Sequence, residues 1–260
     1  MKTNFVILFL LIFFTISIPM FLVLFIIGKI NPHLKVKYSQ AIVVFAFNMI
    51  LKCCGIKKTV IGVQNIPKDT PVLFVSNHRS YFDVLMAYTS VSNLVGFVAK
   101  KEINKVPFLR VWMRNLNCLF LDRGNVREGL KTILKGVDLV KNGYSIFIAP
   151  EGTRNQENEL LPFKEGSFKI AEKSGCPIIP VTLNNTDAIF ENHFPWIKKA
   201  HAVIEYGEPI YIKNLEKELD LYTEEIADFM GIILTRMKVK NHRGNERLEY
   251  VDEAIKSSKT

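Results

Sequence analysis

Acidic residues are missing from the first 60 positions of this 260-residue chain, where seven lysines (Lys2, Lys29, Lys35, Lys37, Lys52, Lys57 and Lys58) stand unbalanced. That excludes an acidic or charge-neutral N-terminal arm and, beside so much apolar sequence, points to an anionic surface as partner. Cysteine is scarce as well. The four present (Cys53, Cys54, Cys118 and Cys176) include one adjacent pair and show neither Cys-x-x-Cys nor Cys/His ligand spacing, which excludes a disulfide scaffold and argues against structural zinc. Internal repeats and low-complexity tracts are absent too, so a solenoid is not expected. Although the net charge is +9, no helix-turn-helix or zinc-finger pattern occurs, and the aromatic residues are not interleaved with Lys and Arg as stacking platforms. Nucleic acid is therefore not the expected partner. An apolar share of 48% rules out a disordered chain.

What is present begins with a hydrophobic run over residues 5–27, broken only by Thr15, Ser17 and Pro19. As a helix it would span about 35 Å, enough for a hydrocarbon core of about 30 Å. A secretory signal would have a shorter apolar region and a small-residue cleavage site after it, so membrane attachment is the expectation. Lys29, Lys35 and Lys37 outnumber Lys2 on the near side, which puts the downstream domain in the cytoplasm. Pro19 removes a backbone donor and admits a kinked or re-entrant helix in place of a single crossing. Residues 38–51 are apolar over about 14 positions, which reads as a helix lying in the interface or packed on the first.

From residue 58 the pattern becomes short β-rich runs (58–63, 72–76, 94–99, 144–149, 178–183 and 202–206) alternating with helical periods. Residues 126–142 carry apolar side chains at a 3.6 period, with Asn125 and Glu128 as a capping box and Gly143 as a stop. Residues 223–240 read as a second helix, acidic early (Glu224, Glu225) and basic late (Arg236, Lys238, Lys240). The expected fold is α/β, a mixed sheet flanked by helices and preceded by an N-terminal membrane-associated helix pair. Its expected divisions are anchoring helices over 1–57, a catalytic domain over 58–240 and a polar tail over 241–260.

Three strand-end stretches carry chemistry. In Asn77-His78-Arg79-Ser80-Tyr81-Phe82-Asp83, Asp83 is close enough to orient the His78 imidazole and stabilise it once protonated. In Phe120-Leu121-Asp122-Arg123-Gly124, Arg123 near a helix N-terminus offers an anion site, or else a surface pair with Asp122. In Pro150-Glu151-Gly152-Thr153-Arg154, glycine permits close backbone approach, Thr153 can donate and Arg154 can grip a phosphate, with Glu151 able to hold the arginine or a substrate hydroxyl. Phe163-Lys164-Glu165-Gly166 adds another cation, and Pro180 inside an apolar strand indicates an edge or a bulge.

NHxxxxD, FLDR, PEGTR with FKEG, and a Pro-Val strand, in that order over about residues 58–210, resemble the glycerolipid acyltransferase family, most closely its 1-acylglycerol-3-phosphate O-acyltransferase branch. The resemblance implies that His78 is the general base for the acceptor hydroxyl and Asp83 its orienting carboxylate, with direct attack on an acyl thioester and no covalent intermediate. It implies that Arg123, Glu151, Gly152, Thr153 and Arg154 bind glycerol phosphate. Asn77, Lys164, Gly166 and Pro180 would shape the site or assist with phosphate, and Lys100, Lys101 or backbone amides would stabilise the oxyanion. No metal and no resident cofactor are expected, because a thioester is already activated. The co-substrate would be acyl-CoA or an acyl carrier protein thioester, and the partners lysophosphatidate and a lipid bilayer. Within the family, another lysophospholipid or glycerol 3-phosphate is the alternative acceptor. Two remoter alternatives are a hydrolase using Ser76 or Ser80, although no G-x-S-x-G elbow exists, and a non-catalytic lipid-phosphate binding protein.

Overall fold

The computed structural model describes residues 2–155, 160–211 and Ile226. In chain order the helices are α1 (Lys2–Ile30), α2 (Pro32–Cys53), α3 (Phe82–Tyr88), α4 (Leu109–Asn115), α5 (Val126–Lys141) and α6 (Lys169–Ser174). The strands are β1 (Lys57–Ile61), β2 (Leu73–Ser76), β3 (Val95–Lys100), β4 (Leu119–Leu121), β5 (Ser145–Ile148), β6 (Ile178–Asn184) and β7 (His201–Tyr206). They form one sheet in the order β1-β7-β6-β2-β5-β3-β4. Every neighbouring pair is parallel except β6–β7. The fold is thus the expected mixed α/β sheet flanked by helices. β2, β3, β4, β5 and β6 all end at one edge, and β1 and β7 begin there. That edge collects the chemistry-bearing loops, as the carboxyl ends of parallel strands do in open α/β sheets.

The central strands β2 (LFVS) and β5 (SIFI) are buried on both faces, so they read as continuous apolar runs and not as alternation. Side chains still alternate in direction. Phe74, Phe147 and Phe97 form a row on one face, with ring centroids 5.7 Å and 4.5 Å apart. Val43, Ile50 and Leu51 of α2 and Met86 of α3 belong to the same buried cluster. Leu73, Val75, Ile146 and Ile148 point to the other face and join Ile133 and Val140 of α5 and Ile170 of α6. Burying one such Phe or Ile is worth about 1.5–3 kcal/mol, so two covered faces hold the sheet between helix layers.

α5 starts and stops where its signals fall. Asn125 Oδ1 accepts from the Glu128 N–H at 3.1 Å. The other half of the expected capping box is not made, because Glu128 pairs with Lys131 at 2.6 Å. At the far end Tyr144 N–H reaches Leu139 O and Gly143 N–H reaches Val140 O, with Gly143 at φ 88°, a Schellman closure.

α2 corrects one expectation. It has 22 residues, not about 14, because Asn31 caps it by accepting from the Leu34 N–H at 3.0 Å and Pro32 opens its first turn. Its buried positions, Val36, Gln40, Val43 and Ile50 among them, form one stripe against the sheet. Gln40 ties it down, donating to Asn93 O at 2.8 Å and accepting from the Val95 N–H at 3.0 Å. α1, 29 residues with Pro19 inside, lies along the domain. Near its start Thr3 Oγ1 accepts from the Ile197 N–H at 2.9 Å, and at its middle the buried Ser17 Oγ accepts from Trp112 Nε1 at 2.9 Å. Phe13 and Phe21 flank the Trp112 ring at 5.4 Å and 5.3 Å. Its outer side chains, among them Leu8, Leu11, Ile12, Leu22 and Phe25, are exposed.

β4 was not expected as a strand. It has three residues and exists through its pairing with β3. Pro180 lies inside the sheet between β7 and β2, not at an edge. The bulge alternative holds: the β6 ladder runs Val181↔Tyr206 and then Ile178↔Ile210, a shift of one residue beside the proline, whose carbonyl accepts from the Gly207 N–H at 2.8 Å. The expected division at 57/58 falls next to the start of β1. The expected helix over 223–240 and the tail over 241–260 lie outside the described residues, apart from Ile226.

Candidate active site

His78 sits two residues past the end of β2, in the turn that leads to α3. Its Nδ1 is 2.8 Å from Asp83 Oδ2. The same oxygen accepts the Arg79 N–H at 2.7 Å and the Ser80 N–H at 2.9 Å. An oxygen that already receives two backbone N–H groups serves as an acceptor, so the imidazole presents Nδ1–H to it and Nε2 is left as the acceptor nitrogen. The His78 side chain is 29% exposed and that of Asp83 4%. One group can meet a substrate and the other is sheltered to orient it.

Asn77 and Glu151 build the platform. The Asn77 amide donates to Leu183 O at 2.9 Å and accepts the Leu183 N–H at 2.8 Å, so a side chain continues the β2–β6 ladder after the backbone has turned away. Glu151, expected to hold Arg154 or a substrate hydroxyl, is buried and otherwise engaged. Oε1 accepts the His78 N–H at 2.9 Å, and Oε2 accepts Asn155 Nδ2 at 2.9 Å and the Leu161 N–H at 3.0 Å. Asn155 N–H in turn reaches His78 O at 2.7 Å. The PEGTR loop and the histidine loop are thereby locked together.

Arg154 reaches forward from this loop. Its guanidinium lies 3.9 Å over the Tyr81 ring and 3.3 Å from Glu191 Oε1. Glu191 also accepts Ser80 Oγ at 2.6 Å and the Tyr81 N–H at 2.8 Å. Tyr81, Asn155 and Glu191 were not anticipated. Tyr81 lies next to the motif and Asn155 adjoins Arg154, but Glu191 is 37 residues away in sequence and carries no local pattern. Ser80 Oγ is further engaged by the Phe82 N–H at 3.0 Å, so it faces Glu191 and not the imidazole.

Gly152 has φ 74°, and a Cβ there would come 2.9 Å from Lys164 Nζ. Its missing side chain lets the lysine ammonium lie against the loop, beside the exposed Thr153. Gly166 faces open space, and Pro180 pairs with Val75, about 10 Å down the sheet from His78. Lys100, Lys101 and Arg123 stand on the same edge but further along: the ends of β3 and β4 are about 10 Å and 14 Å from that of β2 at strand spacing. Lys101 Nζ is held by Asp122 Oδ2 at 2.5 Å. That hydrogen bond raises the lysine pKa and lowers that of Asp122, whose Oδ1 also accepts the Gly124 N–H at 3.0 Å. So Asp122 pairs with Lys101 and not with Arg123. Partial desolvation lowers the Arg123 pKa, opposed by the charge of Glu102, and its guanidinium remains at the surface as a cation.

Residues 57–184 match the model of the Acyltransferase family. A 1-acyl-sn-glycerol-3-phosphate acyltransferase of Saccharomyces cerevisiae is 31% identical over 201 residues, 75% of this chain and 66% of that protein. The chloroplastic BAT2 enzyme of Brassica napus, of the same name, is 32% identical over 68% of this chain and 52% of its own. That of Borreliella burgdorferi is 35% identical over 52% of this chain and 54% of its own. The chain thus spans between half and two thirds of the length of these relatives. The crystal structure of the 1-acyl-sn-glycerophosphate acyltransferase PlsC from Thermotoga maritima superposes with a TM-score of 0.67 at 22% identity, covering 92% of this chain and 98% of that one. A histidine–aspartate pair in the NHxxxxD turn, the FLDR and PEGTR loops on the same sheet edge and the family match over 57–184 converge: the chain belongs to the acyltransferase family.

Proposed function

We propose that this protein transfers a fatty acyl group from a thioester, acyl-CoA or acyl carrier protein, to the sn-2 hydroxyl of 1-acyl-sn-glycerol 3-phosphate, giving phosphatidate. The His78–Asp83 pair carries the reading: it supplies a base with a fixed tautomer at the mouth of a strand-end loop. His78 Nε2 takes the hydroxyl proton as the oxygen attacks the thioester carbon. Asp83 steadies the imidazolium that forms. The tetrahedral intermediate collapses, the carbon–sulfur bond breaks, and the thiolate leaves with the proton returned through His78. Arg154 and Lys164 lie on or against the PEGTR loop that is locked to the histidine loop, and Arg123 stands further along the edge. Together they would hold the acceptor phosphate and orient the hydroxyl, a contribution of proximity. Lys100 is the exposed cation at the end of β3 left for the developing oxyanion, Lys101 being held by Asp122.

The helix pair supports a membrane setting. α1 is bound to the domain near its start through Thr3 and at its middle through Ser17, and packs against α2 near its end. A helix held along its length, with its outer face apolar, fits insertion into one leaflet better than a crossing.

Membranes containing the protein, given radiolabelled lysophosphatidate and each donor separately, are expected to form phosphatidate with at least one donor. His78→Ala should abolish it. Absence of phosphatidate from folded protein with both donors would remove the acceptor assignment, and formation by His78→Ala would remove the base.

A further inference from the structure

On the active edge, but on the flank away from Arg123, a cavity of about 530 Å³ opens where α1 begins, lined by Lys2, Thr3, Trp196, Ile197, Lys198 and Lys199. The start of β7 lies two strands from β2, about 10 Å, and none of the residues lining the cavity is among those that contact His78. Three of its six lining residues are lysines, and among the described residues no acid lines it. Lys2 Nζ donates to Cys54 O, and the Lys199 stem lies 3.5 Å from where a Cβ on Gly55 would be. Thr3 bolts the first turn of α1 to the loop, accepting the Ile197 N–H and donating to Pro195 O at 3.3 Å. Among the described residues neither Lys198 nor Lys199 makes an ion pair. α1 has no acid in its first turn, so its dipole adds to the positive potential.

Apolar surface adjoins this charge. Trp196 and Phe194 are 55% and 75% exposed, and Phe5 and Leu8 continue the patch along α1. Lysines behind an aromatic rim at the end of an apolar helix match the layering of a bilayer interface, with headgroup phosphate above and acyl chain below. Water alone would leave three lysines lining one cavity without a counter-charge and the aromatic rim exposed. We propose that this cavity takes the anionic headgroup of a bilayer phospholipid, with Trp196 and Phe194 at the boundary between headgroup and acyl chain. The inference rests on the membrane setting proposed above but not on acyl transfer. Such a contact would fix how the site-bearing edge faces the lipid.

Trp196 is its own reporter, because the only other tryptophan, Trp112, is buried. The full chain would be reconstituted in phosphatidylcholine vesicles containing phosphatidylglycerol, with either the glycerol or the choline lipid brominated at equal mole fraction. Trp196→Phe supplies the Trp112 background. Each lysine at an anionic surface enriches such lipid about five-fold, so quenching by the brominated phosphatidylglycerol should exceed that by the choline lipid at least about two-fold. Lys198→Glu with Lys199→Glu should bring the ratio to one, and Lys198→Gln with Lys199→Gln should move it the same way. Equal quenching in the parent, no quenching by either lipid, or an unchanged ratio in a folded variant would each overturn the proposal. None of these readings needs turnover, so an inactive protein would still answer the question. Phosphatidate assays on the same vesicles test the acyltransferase reading separately.

Discussion

One oxygen of Asp83 receives three donors, and this makes the residue more than a charge beside a histidine. In Asp83→Asn an amide nitrogen would face three N–H groups, or a neutral oxygen would replace the partner of the imidazolium. The comparable exchange in a serine protease triad costs about 10⁴ in kcat, and a loss of about 10³–10⁴ in phosphatidate formation is expected here. A loss below ten-fold would make Asp83 a purely structural residue. Glu151→Gln tests the platform. It sets an NH₂ against donors that now meet a carboxylate, and burying such a mismatch costs about 1–3 kcal/mol, read as a lower denaturant midpoint at unchanged slope. At this scale the pairing of His78 with Asp83 was legible because they lie five residues apart on one turn. The task of Glu151 was not, since it serves His78 from 73 positions away and its type suggested a ligand for substrate. Glu191 was invisible for the same reason.

Elements were legible where their signals are local. α5 follows from its periodicity, from Asn125 and from Gly143, and the central strands follow from apolar runs punctuated by Asn, Gly and Pro. β4 does not, because three residues carry no period and pairing with β3 alone defines it. α2 was read short, although Asn31-Pro32 announces its start, because His33, Lys35 and Lys37 dilute the apolar run. The docking of α1 on α4 rests on Ser17, which reads in sequence as a mere interruption. Ser17→Ala strands the buried Trp112 N–H and should cost about 1–3 kcal/mol, whereas Thr15→Ala, at an exposed hydroxyl two residues earlier, should change stability by less than about 0.5 kcal/mol. Denaturant unfolding in detergent would separate them. The tie between the ends of β3 and β4 predicts a pH signature. Lys101 lowers the Asp122 pKa, so the stabilising contact is present above the ordinary carboxylate range and is lost as pH falls through the lowered value. In Lys101→Gln the Asp122 carboxyl titration, followed by carbon NMR, should move back up. An unmoved midpoint would assign the shift to the Gly124 and Asn125 amides.

For the whole molecule, the sheet order decides what can be neighbours. The antiparallel β7 starts at the edge where β2, β5 and β6 end, so the start of α1, held by the loop before β7, and the candidate site loops share one side. The proposed embedding in a single leaflet makes this testable. A Lys29→Cys substitution, at the far end of α1, and the exposed native Cys53 should both react with an impermeant maleimide from the same side of sealed vesicles, while a helix pair that crosses would separate them. The closure of Thr3 on Ile197 also has a temporal consequence. The two residues are 194 positions apart. At a synthesis rate of about 5–20 residues per second, the ribosome makes the partner roughly 10–40 s after the helix that needs it. Through that interval α1 has no loop to clasp, and for about the first half of it no α4 to rest on, so its apolar flank must be kept from aggregating by whatever it touches first. The order of synthesis therefore favours a chain that meets lipid before its domain is complete and closes the domain onto a helix already in place.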